Sequence, residues 1–460
     1  MFLGASITAM FATLVFTFSR AGWAGFLFAL VVMSGLGMAI MFRTRRSQDK
    51  AGGRPKAVLP VVILAVVIIA VAAVSLTVSS RVASAPTKSA LERALSSFNL
   101  ESGGVADRVY LWRSAIAMIK DRPVLGWGPE TFGTYFPKYR TAEFAHYELN
   151  VLMRPKILFQ NRPHSDILQA GTSAGVSGIA AYLALLIAYF WFAIRRLMGI
   201  DNLADTALLV GIIGGLAGYF AQIQFSFSTI AVSPIVWLLM ALTFVIGENR
   251  NDGASLDKIP HPVLIASLVI LEIVVLVGIF LSARPLVADY YFDQAVSALE
   301  KSDSYTAGLE FDRAMALNPY EPEYPNFAGN MFVEVAKASQ DADTATTALT
   351  TAIDYLEKGI ALNPDMPGYH YNMANVKYYY SMIPGLDKGL AEITMKEALG
   401  EYLFAIEADP NNPDVHLNLA SAYMRFDRKA QAIAEIRKAL KLSPNNVAAK
   451  SALMKLEEEK

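Results

Sequence analysis

The stretch "HPVLIASLVILEIVVLVGIFLSARPLVADYY", His261–Tyr291, decides the architecture. From Pro262 to Leu281 only Glu272 carries a charge. About 20 apolar residues span the roughly 30 Å of a bilayer's hydrocarbon core, so this run reads as a membrane helix. No comparable run follows Leu281. Everything after it is polar enough to form a soluble domain of ordinary size. "SARPLVADYY", 282–291, reads as a short connection between the two, too short to let the second part swing far.

Working back from this border, six more nearly charge-free runs occur at 2–18, 22–42, 57–80, 175–194, 205–225 and 229–247. They predict seven membrane helices in all. They also explain a composition that is 54% hydrophobic and 18% charged, more apolar than an ordinary soluble protein. The start, "MFLGASITAMFATLVFTFSR", lacks a basic leader and a small-residue cleavage site, and reads as a membrane helix. The net charge of -1 offers no electrostatic footprint for nucleic acid. The chain has no cysteine, so disulfides and thiolate chemistry are excluded.

The loop "RTRRSQDKAGGRPK", 43–56, holds six basic residues and one acid, and is expected in the cytoplasm. Alternation then puts Arg195, Arg196 and the 248–258 loop on the same side. The turn at Ser19-Arg20, the long segment 81–174 and all residues beyond Leu281 fall on the extracytoplasmic side. Arg20 and His164 should therefore share a face. The predicted domains are a membrane domain over 1–283, carrying the 81–174 extracytoplasmic loop, and an extracytoplasmic repeat domain over 284–460.

In the repeat domain, Asn-Pro or a relative recurs at Pro319, Pro364, Pro410 and Pro444. The last interval is 34 residues, the tetratricopeptide period. Leu419, Ala420, Tyr423, Ala432, Ile436 and Ala439 stand at that repeat's packing positions, and "NFA", "NMA" and "NLA" recur at 326–328, 372–374 and 418–420. About four helix pairs stacked as an α-solenoid are expected, with an insertion around "SMIPGLDKG". A concave surface of this kind suits a protein partner. His370 and His416 fall at helix packing positions and read as structural.

Chemistry is sought in "DRVYLWRSAIAMIKDRPVLGWGPETFGTYFPKYR", Asp107–Arg140, and "QNRPHSDILQAGTSAGVSG", Gln160–Gly178. Val109, Trp112, Ile116 and Ile119 share one helical face, with Arg108 a turn before Trp112. "DRPVLGWGPETF" then reads as a Gly/Pro-punctuated turn. Three blocks resemble those of the O-antigen ligase and polymerase family. They are "SRAGWAGFLFAL" at 19–30, the Arg108–Phe132 block, and the run from His164 through Leu168-Gln169 to Gly175 and Gly178. They stand in the family's order, separated by membrane helices and then one large loop. Ser165 stands where the family usually has Asn, and Ser173 where it often has an acid.

The resemblance implies an all-α polytopic membrane glycosyltransferase. Such enzymes transfer a glycan linked through pyrophosphate to a polyprenyl lipid onto an acceptor hydroxyl of a glycan, a lipid core sugar or a protein. It implies His164 as the essential histidine and Arg20 and Arg108 as the essential arginines, with Arg113, Asp166 and Gln169 as secondary candidates. The chemistry agrees. Two guanidiniums offer bidentate donors to a leaving pyrophosphate, and an imidazole can accept the acceptor's proton. No P-loop or metal-ligand cluster stands out, and no cofactor is expected. Ten or more membrane helices are usual in the family, so seven suggest an N-terminally incomplete chain.

Other readings stay open: a protein O-oligosaccharyltransferase, a membrane-anchored repeat scaffold for a surface-assembly complex, or a transporter with Glu272 as its one intramembrane carboxylate. The expected location is a bacterial cell membrane. Truncation after Leu281 is expected to leave binding of the lipid-linked donor intact and to alter acceptor choice or partner recruitment.

Overall fold

The computed structural model describes residues 19–50, 104–148, 160–246 and 260–458. Every regular element among them is helical. The spans expected at 2–18 and 57–80, and the segment 81–103, lie outside the described residues. Contacts divide the chain into two compact units, Met1–Phe132 with Gln160–Gly253, and Gly133–Phe159 with Ala254–Lys460.

In the first unit, α1 (Arg20–Lys50), α2 (Gly104–Asp121), α5 (Asp166–Leu197), α6 (Leu203–Gln222) and α7 (Ser233–Val245) pack together. α1 and α6 approach through glycine. A Cβ on Gly25 would meet the Gly218 carbonyl at 2.6 Å, and one on Gly218 would meet the Gly25 carbonyl at 2.5 Å. In a membrane, where helices gain no hydrophobic driving force from one another, close backbone approach supplies the van der Waals contact that holds them. At the other end of the pair, Arg43 bonds Asp201 at 3.2 Å. The start of α1 therefore lies at the end of α6 that carries Gln222 and Ile223, and its close at the α5–α6 turn.

Among the described residues, four helices are long and apolar enough to cross a membrane: Ala21–Arg43 within α1, then α5, α6 and α8 (His261–Glu300). The chain is thus an all-α membrane protein. The expected span at 229–247 is shorter than anticipated. Its helix, α7, has 13 residues, which at about 1.5 Å per residue falls short of a full crossing.

In the second unit, α8 corrects the expected connection at 282–291. It runs 40 residues without a break, carrying Pro285 inside it, so the apolar helix continues directly into the first helix of the array. α8 pairs with α9 (Ser304–Leu317). The pairs α10 (Glu323–Ala338) with α11 (Ala342–Leu362), α12 (Pro367–Tyr380) with α13 (Lys388–Ala408), and α14 (Pro413–Arg425) with α15 (Lys429–Leu442) follow, and α16 (Val447–Glu458) closes the stack. These are the four helix pairs that the Pro spacing predicts.

The stops repeat as well. Asn318, Asn363, Asp409 and Ser443 each leave the helix at φ between -130° and -141° and ψ between 74° and 81°. Each precedes a proline, whose ring disfavours helical backbone in the residue before it. Small residues fill the closest approaches: Ala307, Ala352, Ala398, Ala405 and Ala439 are fully buried. Asn372 donates to Asn326 at 2.9 Å, and Asn418 to Asn375 at 2.9 Å, so that the asparagine of an "N-x-A" motif links each pair to the one before it.

Two short helices belong to this second unit by their contacts: α3 (Phe132–Tyr139), from Gly133 onward, and α4 (Ala142–His146). Thr141 caps α4 by accepting from the Phe144 backbone N–H at 3.2 Å, and Phe136 and Phe144 meet edge to face at 6.0 Å.

Candidate functional site

The site is built on a break in α5. Ala174 and Gly175 leave helical backbone geometry, with Gly175 at φ 65°. A broken helix exposes carbonyls and N–H groups that must find partners, above all at membrane depth. The turn after α2 supplies them. Trp127 N–H donates to the Thr172 carbonyl at 2.8 Å and Gly128 N–H to that of Ser173 at 3.0 Å, while Val176 N–H donates to the Pro123 carbonyl at 2.7 Å. Ser177 Oγ reaches the Val124 carbonyl at 3.1 Å.

This close approach of two backbones needs glycine on both sides. Gly126 has φ 64°, and a Cβ there would meet the backbone of Ser173 and Ala174 at 2.6 Å; a Cβ on Gly175 would strike the Pro123 carbonyl. Trp127 locks the turn. Its indole donates to the Met118 carbonyl at 3.0 Å and lies under the Arg122 guanidinium at 3.9 Å. The "RPVLGWG" and "G-x2-G" motifs therefore form one structure, a turn seated in a helix break.

On the N-terminal side of the break is a cavity of about 250 Å³, lined by Pro129, Glu130, Arg162, His164, Asp166, Gln169, Ser173, Tyr182, Phe227 and Ser228 among others. Two of its residues, Glu130 (φ 56°) and His164 (φ 55°), hold the left-handed conformation. Non-glycine residues adopt it at a cost of about 1–3 kcal/mol, and such strain concentrates at functional sites. Arg162 joins the walls, reaching Glu130 Oε2 at 3.2 Å and the Ser228 carbonyl at 3.5 Å, with Phe227 beneath it at 6.0 Å.

His164 packs edge-on against Phe227 at 5.2 Å. Neither ring nitrogen has a hydrogen-bond partner among the described residues. Burial, and then the positive charge of Arg108, hold the imidazole below its ordinary pKa of 6.5; Asp107 opposes them. Arg108 and His164 are thus brought within electrostatic range across 56 residues of sequence. Ser165 occupies the N-cap of α5 without a side-chain capping bond, so capping does not account for this end of the helix. The Asp166 backbone N–H donates to the Ile223 carbonyl at 3.2 Å, placing the cavity at the end of α6 where α1 begins.

The other candidates separate. Asp166 and Gln169 line the cavity, and Gln169 Oε1 is buried without a hydrogen-bond partner among the described residues. Arg113 is exposed and lies 5.9 Å from the Tyr110 ring. Arg20 opens α1 at this end of the bundle, and its side chain lies outside the described residues. Glu130, Arg162, Tyr182 and Phe227 were not found by sequence reasoning. Glu130 and Arg162 sit inside the quoted motifs but look like ordinary loop charges, and the Ser226–Ser228 turn offers no sequence signal. No group of three or more His, Asp or Glu side chains arranged to hold a metal occurs among the described residues.

Residues 5–183 match the family model described as O-Antigen ligase, and residues 394–456 match that of the tetratricopeptide repeat. The N-terminal part is thus similar to an O-antigen ligase domain, and the C-terminal part to tetratricopeptide repeats. No curated protein matches the chain. Similar solved structures include a thermophilic TPR protein of Thermus thermophilus, TTC0263. It is 16% identical, with a TM-score of 0.30, covering 37% of this chain and 81% of that one. The MamA protein is also 16% identical, with a TM-score of 0.28 and the same coverage. YrrB, described as a TPR protein with an unusual peptide-binding site, is 19% identical, with a TM-score of 0.21 over 35% of this chain and 89% of that one.

Proposed function

We propose that this chain transfers a polyprenyl-pyrophosphate-linked glycan onto an acceptor hydroxyl, with His164 as general base and Arg108 and Arg20 binding the pyrophosphate. The observation that carries this reading is His164 itself, held in the left-handed conformation, without a hydrogen-bond partner among the described residues, and lining one cavity with Asp166 and Gln169. Burial, and then the charge of Arg108, lower the imidazole's pKa and so keep it unprotonated and able to accept a proton at neutral pH. In this reading the Arg108 guanidinium also offsets the charge that a leaving pyrophosphate gains.

In the proposed step, the acceptor oxygen attacks the sugar's anomeric carbon while its proton passes to a ring nitrogen of His164. The bond from that carbon to the phosphate oxygen breaks, and the electron pair leaves on the lipid pyrophosphate, where guanidiniums hold it. Asp166 and Gln169 orient the acceptor's hydroxyls from the cavity wall. The setting is a bacterial cell membrane, with 1–283 as membrane domain and the cavity and the 284–460 repeats on the extracytoplasmic face.

The test incubates the purified full chain with a lipid-linked oligosaccharide and glycan, lipid-core or peptide acceptors, and reads products by mass. His164→Ala is expected to lower transfer by about 10²–10⁴ with an unchanged melting temperature. Arg108→Lys should also be impaired, because an ammonium lacks the bidentate fork. Near-normal transfer by the histidine variant would overturn His164 as the base, and absence of transfer by the unsubstituted chain would favour a scaffold.

A further inference from the structure

The segment from Thr134 to Glu148 lies along the Asx-Pro turns of the repeat array, and it uses equivalent positions of two successive turns. Asn363 Nδ2 donates to Thr134 Oγ1 at 3.1 Å, and Tyr135 Oη donates to Asp365 at 2.6 Å. One repeat on, Asp409 takes the place of Asn363, and Asn411 that of Asp365. Arg140 Nη2 reaches Asp409 Oδ1 at 2.9 Å, its Oδ2 at 3.1 Å and the Asn411 carbonyl at 3.1 Å. Asn411 Nδ2 returns a bond to the Arg140 carbonyl at 2.6 Å. Arg140 Nη1 also bonds Glu148 at 3.3 Å, and both side chains of that pair are at most 3% exposed.

A fully buried ion pair is a poor source of stability, because desolvating its charges offsets most of their attraction. What it provides is register: the guanidinium fork accepts one geometry, and misplacement strands buried charges. Here two carboxylates, from sites 261 residues apart, converge on one arginine. Burial raises the Asp409 pKa, and Arg140, with the bonds from Asn412 and the Asn411 backbone, opposes that rise.

We infer that the repeat array acts within the molecule as a clasp for this segment, and that Arg140 is the positioning residue that sets it. The clasped stretch is bracketed in the chain by Glu130 on one side and Arg162 on the other, the two residues paired across the wall of the His164 cavity. Holding Thr134 to Glu148 ties down part of the chain that links Glu130 to Arg162. The array therefore contributes to the transfer site through the chain itself. Truncation after Leu281 would therefore take away the partners of Thr134–Glu148. The catalytic consequence rests on the proposed transfer reaction; the clasp does not.

The chain's lack of cysteine permits a direct test in the full-length protein. Thr134→Cys/Asn363→Cys is treated with a short bis-maleimide, which adds to both thiols, with and without Arg140→Ala, and transfer is measured before and after bridging. Efficient bridging that depends on Arg140 is expected. Arg140→Ala should lower kcat by roughly tenfold or more, the scale of a small misplacement at a reacting centre, with donor KM little changed. Bridging the two cysteines in that variant should restore most of the rate, which a merely structural role would not allow.

Asp409→Asn, which keeps the side-chain size, is the second variant if Arg140→Ala does not fold, and should show the same split in smaller degree. Bridging indifferent to both substitutions would overturn the clasp. Wild-type kcat in a variant that no longer bridges would overturn the positioning role. Arg140-dependent bridging in a protein that transfers no glycan would leave the clasp standing and refute the transfer reading.

Discussion

Histidine is used in opposite ways in the two units. In the repeat array, His370 Nδ1 meets Glu401 at 2.6 Å and Nε2 meets the Pro364 carbonyl at 2.8 Å. His416 repeats the arrangement with Glu435 at 2.6 Å and the Pro410 carbonyl at 3.0 Å. Both nitrogens of each ring are engaged, so these rings act as pegs between the two helices of a pair and the preceding turn. In the membrane unit, His164 has an aromatic edge and a neighbouring guanidinium, and no hydrogen-bonding carboxylate among the described residues. An imidazole surrounded by acceptors has no capacity left for a substrate's proton; one beside a cation and an open cavity does. Residue type alone does not separate these roles, whereas the partners at each nitrogen do.

Breaking the turn that shapes the cavity should have the largest effect on this contrast. Gly175→Ala forces a side chain into a left-handed residue and against the Pro123 carbonyl. A loss of about 3 kcal/mol or more is expected from strain and overpacking together, read as a lowered melting transition or failed insertion of the full chain. Gly211→Ala, where nothing lies within 4 Å, is the control and should be neutral. Equal behaviour of the two variants would show that the helix break does not depend on the seated turn.

A smaller effect sharpens the other side. Burial alone would lower the pKa of His370. The bonds to Glu401 and the Pro364 carbonyl, with the charges of Glu401 and Asp365, outweigh burial and hold it above the ordinary 6.5. Lys377, 3.9 Å from Glu401, is the nearby cation. A raised folded-state value means that the stabilisation is complete below pH 6.5 and is lost as pH rises through the folded value. Melting of the array should therefore fall across that window. His370→Gln should flatten the dependence and cost about 1 kcal/mol at low pH, the scale of one hydrogen bond at a half-buried site. An unchanged pH dependence in the variant would remove His370 from this role.

Hydropathy and period made much of the fold legible. The apolar runs at 22–42, 175–194, 205–225 and 261–281 each fall in helices long enough to cross a membrane, and the recurring prolines mark the ends of the stacked pairs. Both signals are local, carried by residues that act near their own position. The site was legible only in part. His164, Asp166 and Gln169 were found because their motif is contiguous and all three line one cavity. Arg140 stood in plain view within a quoted block, but its meaning depends on Asp409, 269 residues away. The continuity of α8 through Pro285 was missed because Ser-Ala-Arg-Pro reads as a loop, whereas the helix carries Pro285 inside it.

The most direct test of the central claim is the pH dependence of kcat/KM for transfer. A neutral His164 held below its ordinary pKa by burial and Arg108 predicts a rate that is flat through neutrality. It should fall only on acidification below pH 6.5, and this limb should be absent from the residual activity of His164→Ala. A limb centred above 6.5, or one that survives removal of His164, would contradict the assignment of this imidazole as the base.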